Sequence, residues 1–155
     1  MNQQELMGLV RDAVDQLYKN DDSLIERGVH EVAISHHLAS YIAEGMGHRC
    51  KHSYHVDIEY NKNMNEVKRL VPEEEGKRPD IIVHRRQSND HNLLIVELKK
   101  NQPVLANDDD DRKLKGATTD QGDFRFKLGV YLNLRAEGVS YTWYANGGCV
   151  EVSQL

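Results

Sequence analysis

The sequence predicts an α/β protein in which a central mixed β-sheet is flanked by helices. Residues 1–44 space their apolar side chains three and four apart, as amphipathic helices do. Residues 54–60 then alternate apolar and polar side chains, which is typical of a half-buried strand. Two apolar runs follow at 81–83 and 93–96, and strands that are apolar on both faces belong in the middle of a sheet. A further helix and further strands after them make the predicted sheet mixed.

Length and composition indicate one globular domain, residues 1–155, that can bury a core without disulfides. Apolar residues make up 39% of the chain and charged residues 29%, which excludes a disordered protein. No apolar run approaches the roughly 20 residues of a membrane span, and the N-terminus lacks the pattern of a signal peptide. Cys50 and Cys149 are too few for a disulfide framework. We therefore expect a cytoplasmic protein without a membrane partner.

Two helices are predicted before the first strand. Apolar positions from Leu6 to Leu17 define a helix from Met1 to about Tyr18, and the polar run 20–23 ends it. A second helix begins at residue 24 or 29, continues to Glu44, and ends at the glycines that follow.

The remaining elements are strands, apart from one short helix. Residues 61–77 are polar and predict a loop, and residues 108–117 predict the short helix. Residues 125–134 alternate as a strand does, and residues 141–144 and 149–152 predict a closing hairpin.

The central hairpin brings two acids and a lysine to one place. If its turn is centred between Ser88 and Asn89, Ile82 faces Ile95 and Asp80 lies opposite Glu97. Lys99, two residues beyond Glu97, then shares its side of the sheet.

Paired carboxylates on a rigid sheet indicate a metal site. Two such groups repel each other unless one is protonated or a cation joins them. Mg²⁺ prefers hard oxygen ligands and keeps positions for water and phosphate oxygens. The pattern Asp80, Glu97, Lys99 therefore predicts metal-dependent phosphodiester chemistry, in which Lys99 orients water or stabilises developing charge.

Pro79-Asp80 and Glu97-Leu98-Lys99 resemble the motif of the PD-(D/E)xK nucleases, which have the restriction-endonuclease-like fold. The resemblance covers about residues 26–134 and implies the core order α-β-β-β-α-β. It implies that Asp80 and Glu97 bind Mg²⁺ or Mn²⁺ together with the backbone carbonyl of Leu98, and that Lys99 assists hydrolysis. It further implies a carboxylate from the first core helix, for which Glu31 is the best match and Glu26 the reserve choice.

Three further segments resemble a small, single-domain, bacterial-type branch of this superfamily, namely 56–60, 78–85 and 127–130. The Gln-x-x-x-Tyr element of some exonucleases is absent, because Arg125 stands four residues after Gln121. Lys113, Arg78 and Lys100 are the candidate substrate contacts. The implied substrate is nucleic acid, with DNA favoured over RNA, and a homodimer or a targeting partner would supply further recognition.

The overall charge supports a rival interpretation. The formal net charge of −5 is unlike that of a sequence-blind nucleic-acid binder, although basic pairs cluster between residues 77 and 115. A non-catalytic module with this fold, binding nucleic acid or a protein, is therefore the alternative function.

Two other groups of residues have simpler interpretations. One group could be a zinc site but lacks the two ligand pairs of a structural site, namely His48, Cys50, His52 and His55. These residues alternate along a strand entry, which favours a solvated strand edge instead. Four aspartates at 108–111 lack the spacing of a calcium loop and favour capping of the helix that follows.

Overall fold

The computed structural model describes residues 1–27, 29–47, 54–60, 62–63, 66–67 and 78–155, and it is an α/β protein. The elements in chain order are α1 (Gln3–Glu26), α2 (Glu31–Met46), β1 (His55–Ile58), β2 (Lys62–Asn63), β3 (Glu66–Val67), β4 (Ile81–His84), β5 (Leu94–Lys100), α3 (Asp108–Thr118), β6 (Leu128–Arg135), β7 (Gly138–Ala145) and β8 (Gly148–Gln154). No helix in the described ranges is both long and apolar enough to cross a membrane.

Six strands form one mixed sheet in the order β1-β4-β5-β6-β7-β8, and β2 and β3 form a separate pair. Strands β5 and β6 are parallel and joined through α3, whereas the other neighbours are antiparallel. The succession α2, β1, β4, β5, α3, β6 follows the predicted order of helix, three strands, helix and strand. The central position predicted for β4 and β5 is confirmed.

Helix α1 is longer than the sequence predicts. Asn2 caps it, and the Asn2 side chain and the Glu5 side chain each accept from the other's backbone N–H. The helix continues to Glu26 instead of ending near Tyr18, and the break predicted at residues 20–23 is present as a kink at Asp21, whose φ is −134°. Asp21 accepts a hydrogen bond of 2.6 Å from the Tyr41 hydroxyl on α2, which holds the kink against the neighbouring helix.

The sheet separates two apolar cores. The larger core lies between one face and helices α1 and α2, and it contains Val83, Val96 and Val130. The smaller core lies on the opposite face against α3, and it contains Ile82 and Ile95. Successive strand residues alternate between these cores, so Asp80, Glu97 and Lys99 all belong to the α3 face.

Helix α3 approaches the sheet closely because β6 offers a glycine there. A Cβ atom on Gly129 would lie 3.1 Å from Cγ2 of Thr118 and 3.3 Å from Cδ2 of Leu114, both on α3. The absence of a side chain at Gly129 therefore allows Thr118 and Leu114 of α3 to pack this closely against β6.

Several predicted features lie partly or wholly outside the described residues. Most of the predicted loop 61–77 does, and within it the short strands β2 and β3 pair. His48, Cys50 and His52 also lie outside, while His55 is an exposed residue of β1. The predicted helix at 108–117 and the closing hairpin are confirmed.

Candidate metal and phosphodiester site

The predicted register of the central hairpin is confirmed. Ile82 pairs with Ile95 and Ile81 with Val96, and this register continues to place Asp80 opposite Glu97. Asp80 lies just before β4, and its Oδ2 accepts a hydrogen bond of 2.7 Å from the backbone N–H of Leu98. The carboxylate of Asp80 is therefore fixed by the neighbouring strand.

Pro79 cannot pair with Leu98 as an ordinary strand residue would. The same register places Leu98 opposite Pro79, which has no N–H to donate. In a strand the N–H and C=O of one residue point to the same side, so the Leu98 carbonyl faces the Asp80 side as its N–H does. This is the carbonyl that the resemblance assigns to the metal.

Glu97 is buried in an ion pair that the sequence does not predict. Its side chain is 3% exposed, and its Oε1 lies 2.5 Å from Nζ of Lys113, whose side chain is 4% exposed. Lys113 also donates a hydrogen bond of 3.0 Å to the backbone carbonyl of Arg78. The Lys113 ammonium is therefore the donor nearest to Oε1 of Glu97, and both its charge and its hydrogen bond act to lower the pKa of Glu97.

Burial dominates the protonation of both strand carboxylates. It raises the pKa of Glu97 to about 8, because removal from water disfavours the carboxylate and the charge of Lys113 offsets this only in part. Burial also raises the pKa of Asp80, although the Leu98 N–H and the charges of Lys99 and Lys113 act in the opposite direction. Both acids are thus less stable as anions here than in water, which is the condition that an added cation would relieve.

Lys99 connects the strand acids to the N-terminus of α2. Its Nζ lies 3.8 Å from Oε2 of Glu31, while Oε1 of Glu31 accepts from the backbone N–H of Lys100 at 3.2 Å. Burial lowers the pKa of Lys99, but the surrounding carboxylates outweigh it and the net shift is upward. Lys99 therefore stays a cation at neutral pH.

Asp110 is a site residue that the sequence did not reveal. It lies on α3 three residues before Lys113, hence on the same side of that helix. Burial is the largest influence on the pKa of Glu97, which it raises, and on the pKa of Lys99, which it lowers. The charge of Asp110 is a smaller influence that raises both pKa values. Asp110 was predicted as part of a helix cap, and Asn107 is the capping residue instead, with its side chain accepting from two backbone N–H groups.

The structure places the other predicted residues without testing their roles. Substrate contact by Lys113 stays a prediction, and in this conformation its ammonium is buried against Glu97. The Nζ of Lys100 donates a hydrogen bond to the carbonyl of Val29, so its side chain connects β5 to the segment just before α2. Arg78 has an exposed side chain, 4.0 Å from Glu59. The reserve choice Glu26 is an exposed residue at the end of α1.

A second polar cluster lies farther along the same face of the sheet. Asp57 on β1 accepts from the imidazole of His84 at 2.8 Å and is bound through both oxygens by Arg86. The ring of Tyr60 packs edge-on against His84, with 4.5 Å between ring centroids. This cluster joins the edge strand β1 to β4.

The donor set suits a hard cation. The carboxylates of the site outnumber its ammonium groups by two when all are ionised. The carboxylates belong to Glu31, Asp80, Glu97 and Asp110, and the ammonium groups to Lys99 and Lys113. Within the described ranges, no three His, Cys, Asp or Glu side chains converge closely enough to hold an ion in this conformation. A two-carboxylate site completed by a carbonyl, water and phosphate is the arrangement that these residues offer.

Comparison with known proteins adds no relative to this description. No protein-family model, curated protein or solved structure matches the chain significantly. The structure shows an α/β protein with a six-stranded mixed sheet flanked by helices.

Proposed function

We propose that this protein is a metal-dependent phosphodiesterase that hydrolyses nucleic acid, with DNA favoured over RNA, and a member of the PD-(D/E)xK nucleases. The observation that carries the proposal is the pairing of Asp80 with Glu97 across β4 and β5, with Lys99 on the same face. The order α2, β1, β4, β5, α3, β6 and the parallel pair β5–β6 support the restriction-endonuclease-like fold.

Mg²⁺ or Mn²⁺ is the proposed cofactor, held by Asp80 and Glu97 with the Leu98 carbonyl, and Glu31 borders the site. Such an ion, when bound, polarises the scissile phosphate and lowers the pKa of an attacking water. The fit rests on the facing carboxylates of Asp80 and Glu97 and on the surplus of carboxylates over ammonium groups around them.

Lys99 acts as a fixed positive charge. The surrounding acids raise its pKa despite burial, so the amine of the metal-free protein is protonated at neutral pH. In that state its ammonium would stabilise the negative charge that accumulates on the phosphoryl oxygens in the transition state. Glu31 positions that ammonium, since its Oε2 is 3.8 Å from Lys99 Nζ.

The test is cleavage of single- and double-stranded DNA and RNA by purified protein with Mg²⁺ or Mn²⁺. Asp80→Asn, Glu97→Gln and Lys99→Met should each reduce the rate by at least about 100-fold, as loss of a group that acts on transition-state charge does. Lys115→Met is the matched control, because Lys115 is a half-exposed lysine of α3 paired with Asp111. Activity that survives Glu97→Gln and Lys99→Met at the wild-type rate would contradict the mechanism.

The second candidate is a non-catalytic module that binds nucleic acid or a protein. The observation in its favour is the ion pair of Glu97 with Lys113, which satisfies the charge of Glu97 without a metal. Retained nucleic-acid binding without cleavage of any of the four substrates, and without metal binding, would favour this candidate. Light scattering with and without DNA tests whether a homodimer forms.

A further inference from the structure

We propose that Lys113 is an exchangeable counter-ion that occupies the metal site from within the chain, so that binding of a divalent cation must release Lys113 from Glu97. This inference rests on the proposed metal centre at Asp80 and Glu97. It adds a residue that sets the affinity of the centre and a movement that opens it.

The contacts of Glu97 show what must change. Its side chain is nearly excluded from solvent, and the charged atom nearest to Oε1 is the Lys113 ammonium at 2.5 Å. An ion cannot reach an oxygen that is closed off in this way. It also cannot remain beside an ammonium group at that distance, because two positive charges in a poorly solvated site repel strongly.

The remaining contacts of Lys113 are suited to release. Besides its contact with Glu97, Lys113 donates a hydrogen bond to the Arg78 carbonyl, which precedes β4 and does not belong to a strand of the sheet. The side chain projects from the second turn of α3, whose first turn carries four exposed or half-buried aspartates. A released ammonium therefore stays in an acidic surrounding, and rotation of its long side chain suffices to uncover Glu97.

The exchange also preserves the balance of charge. With Lys113 in place, the buried carboxylate is compensated by a cation of the chain itself, so the fold does not depend on metal. After exchange, the ion compensates Glu97 and Asp80 together, and the ammonium of Lys113 becomes available to an anion. Lys113 would then contact substrate only in the metal-bound state.

Calorimetric titration with Mn²⁺ alone, at about pH 8, tests the first half of the proposal. Lys113→Met keeps an unbranched side chain and removes the charge, so Mn²⁺ should bind the variant about tenfold more tightly, within the range usual for coupled sites. Lys115→Met on the same helix should bind as the wild type does. Equal affinities of wild type and Lys113→Met would overturn the counter-ion role and leave the metal centre intact, whereas absence of binding to every protein would overturn the metal centre itself.

Chemical acetylation of the wild-type chain tests the second half without any substitution. Lys113 should resist acetylation in metal-free protein and become modified at saturating Mn²⁺, as measured by mass spectrometry of its peptide. Lys115, which is 44% exposed, serves as the internal control and should be modified in both conditions. Equal protection of Lys113 with and without bound Mn²⁺ would overturn the proposed release, even if Lys113→Met fails to fold.

Discussion

Lys113 Nζ and Glu97 Oε1 lie 2.5 Å apart in a region from which water is almost excluded. An isolated charge at either position would be very costly, whereas a neutral pair of similar shape often stabilises as well as the ions do. The energetic consequences of this pair can be measured separately from any activity.

Lys113→Met should destabilise the protein by about 2 kcal/mol at about pH 8, because the buried Glu97 loses its hydrogen-bonding cation and must then keep its proton. The double variant Glu97→Gln with Lys113→Met should recover most of that loss, because neither buried charge remains. Urea unfolding of the single and double variants measures both effects. Equal stability of Lys113→Met and wild type would show that the ion pair contributes nothing.

Glu97 should also make stability depend on pH in metal-free buffer. Its pKa is raised from 4.5 to about 8, so the folded state holds this proton more tightly than the unfolded state does. The stabilisation that comes from this bound proton is complete below pH 4.5 and is lost as the pH rises towards 8. Unfolding free energies of wild type and Glu97→Gln, compared across that window in the presence of a chelator, should therefore diverge as the pH rises. A constant difference would contradict the raised pKa.

Asp57 should make stability depend on pH in the opposite sense, with stability lost as the pH falls. Burial alone would raise its pKa, but the hydrogen bonds from Arg86 and His84 outweigh it and hold the pKa below the usual value of 3.8. This stabilisation is present above pH 3.8 and is lost as the pH falls through the lower folded value. Asp57→Asn should cost about 2 kcal/mol at neutral pH and progressively less in acid. Asp12→Asn, at an exposed position of α1, is the matched control, and its unfolding free energy at neutral pH should stay within about 0.5 kcal/mol of that of wild type.

Glu31→Gln should slow phosphodiester cleavage by about tenfold while leaving the fold intact, because Lys99 loses the carboxylate 3.8 Å from its ammonium. Glu26→Gln is the matched control, since Glu26 is exposed at the end of α1. Single-turnover rates with Mg²⁺ measure the difference. Similar losses in both variants would remove Glu31 from the site.

Gly129→Val should destabilise the fold by about 2 kcal/mol, because new methyl groups would press on Thr118 and Leu114 of α3. Gly8→Ala provides the contrast. A Cβ there meets no atom within 4 Å, so helix propensity alone should stabilise α1 by up to about 1 kcal/mol. Thermal unfolding of the two variants checks both signs.

The sequence was sufficient to predict the register of the β4–β5 hairpin but not the packing of α3 against it. Counting residues across the turn predicted that Ile82 faces Ile95, because strand pairing is local and its period is fixed. No such rule relates α3 to the sheet, so the burial of Lys113 and the proximity of Asp110 required the packed structure. The sequence indicated a break at residues 20–23 but not that α1 continues beyond it, since the contact at the kink comes from Tyr41 on another helix.

The hydrogen bond from the Leu98 amide to Asp80 provides a spectroscopic probe within the chain. Amide resonances respond to the charge and distance of their acceptor, and here the acceptor is a side chain of the site instead of a strand carbonyl. In a protein of 155 residues, one peak in a nitrogen–proton correlation spectrum would then report each encounter of Asp80 with a cation, a nucleotide or a partner. Candidate ligands could be screened by that peak in solution, before any reaction is known.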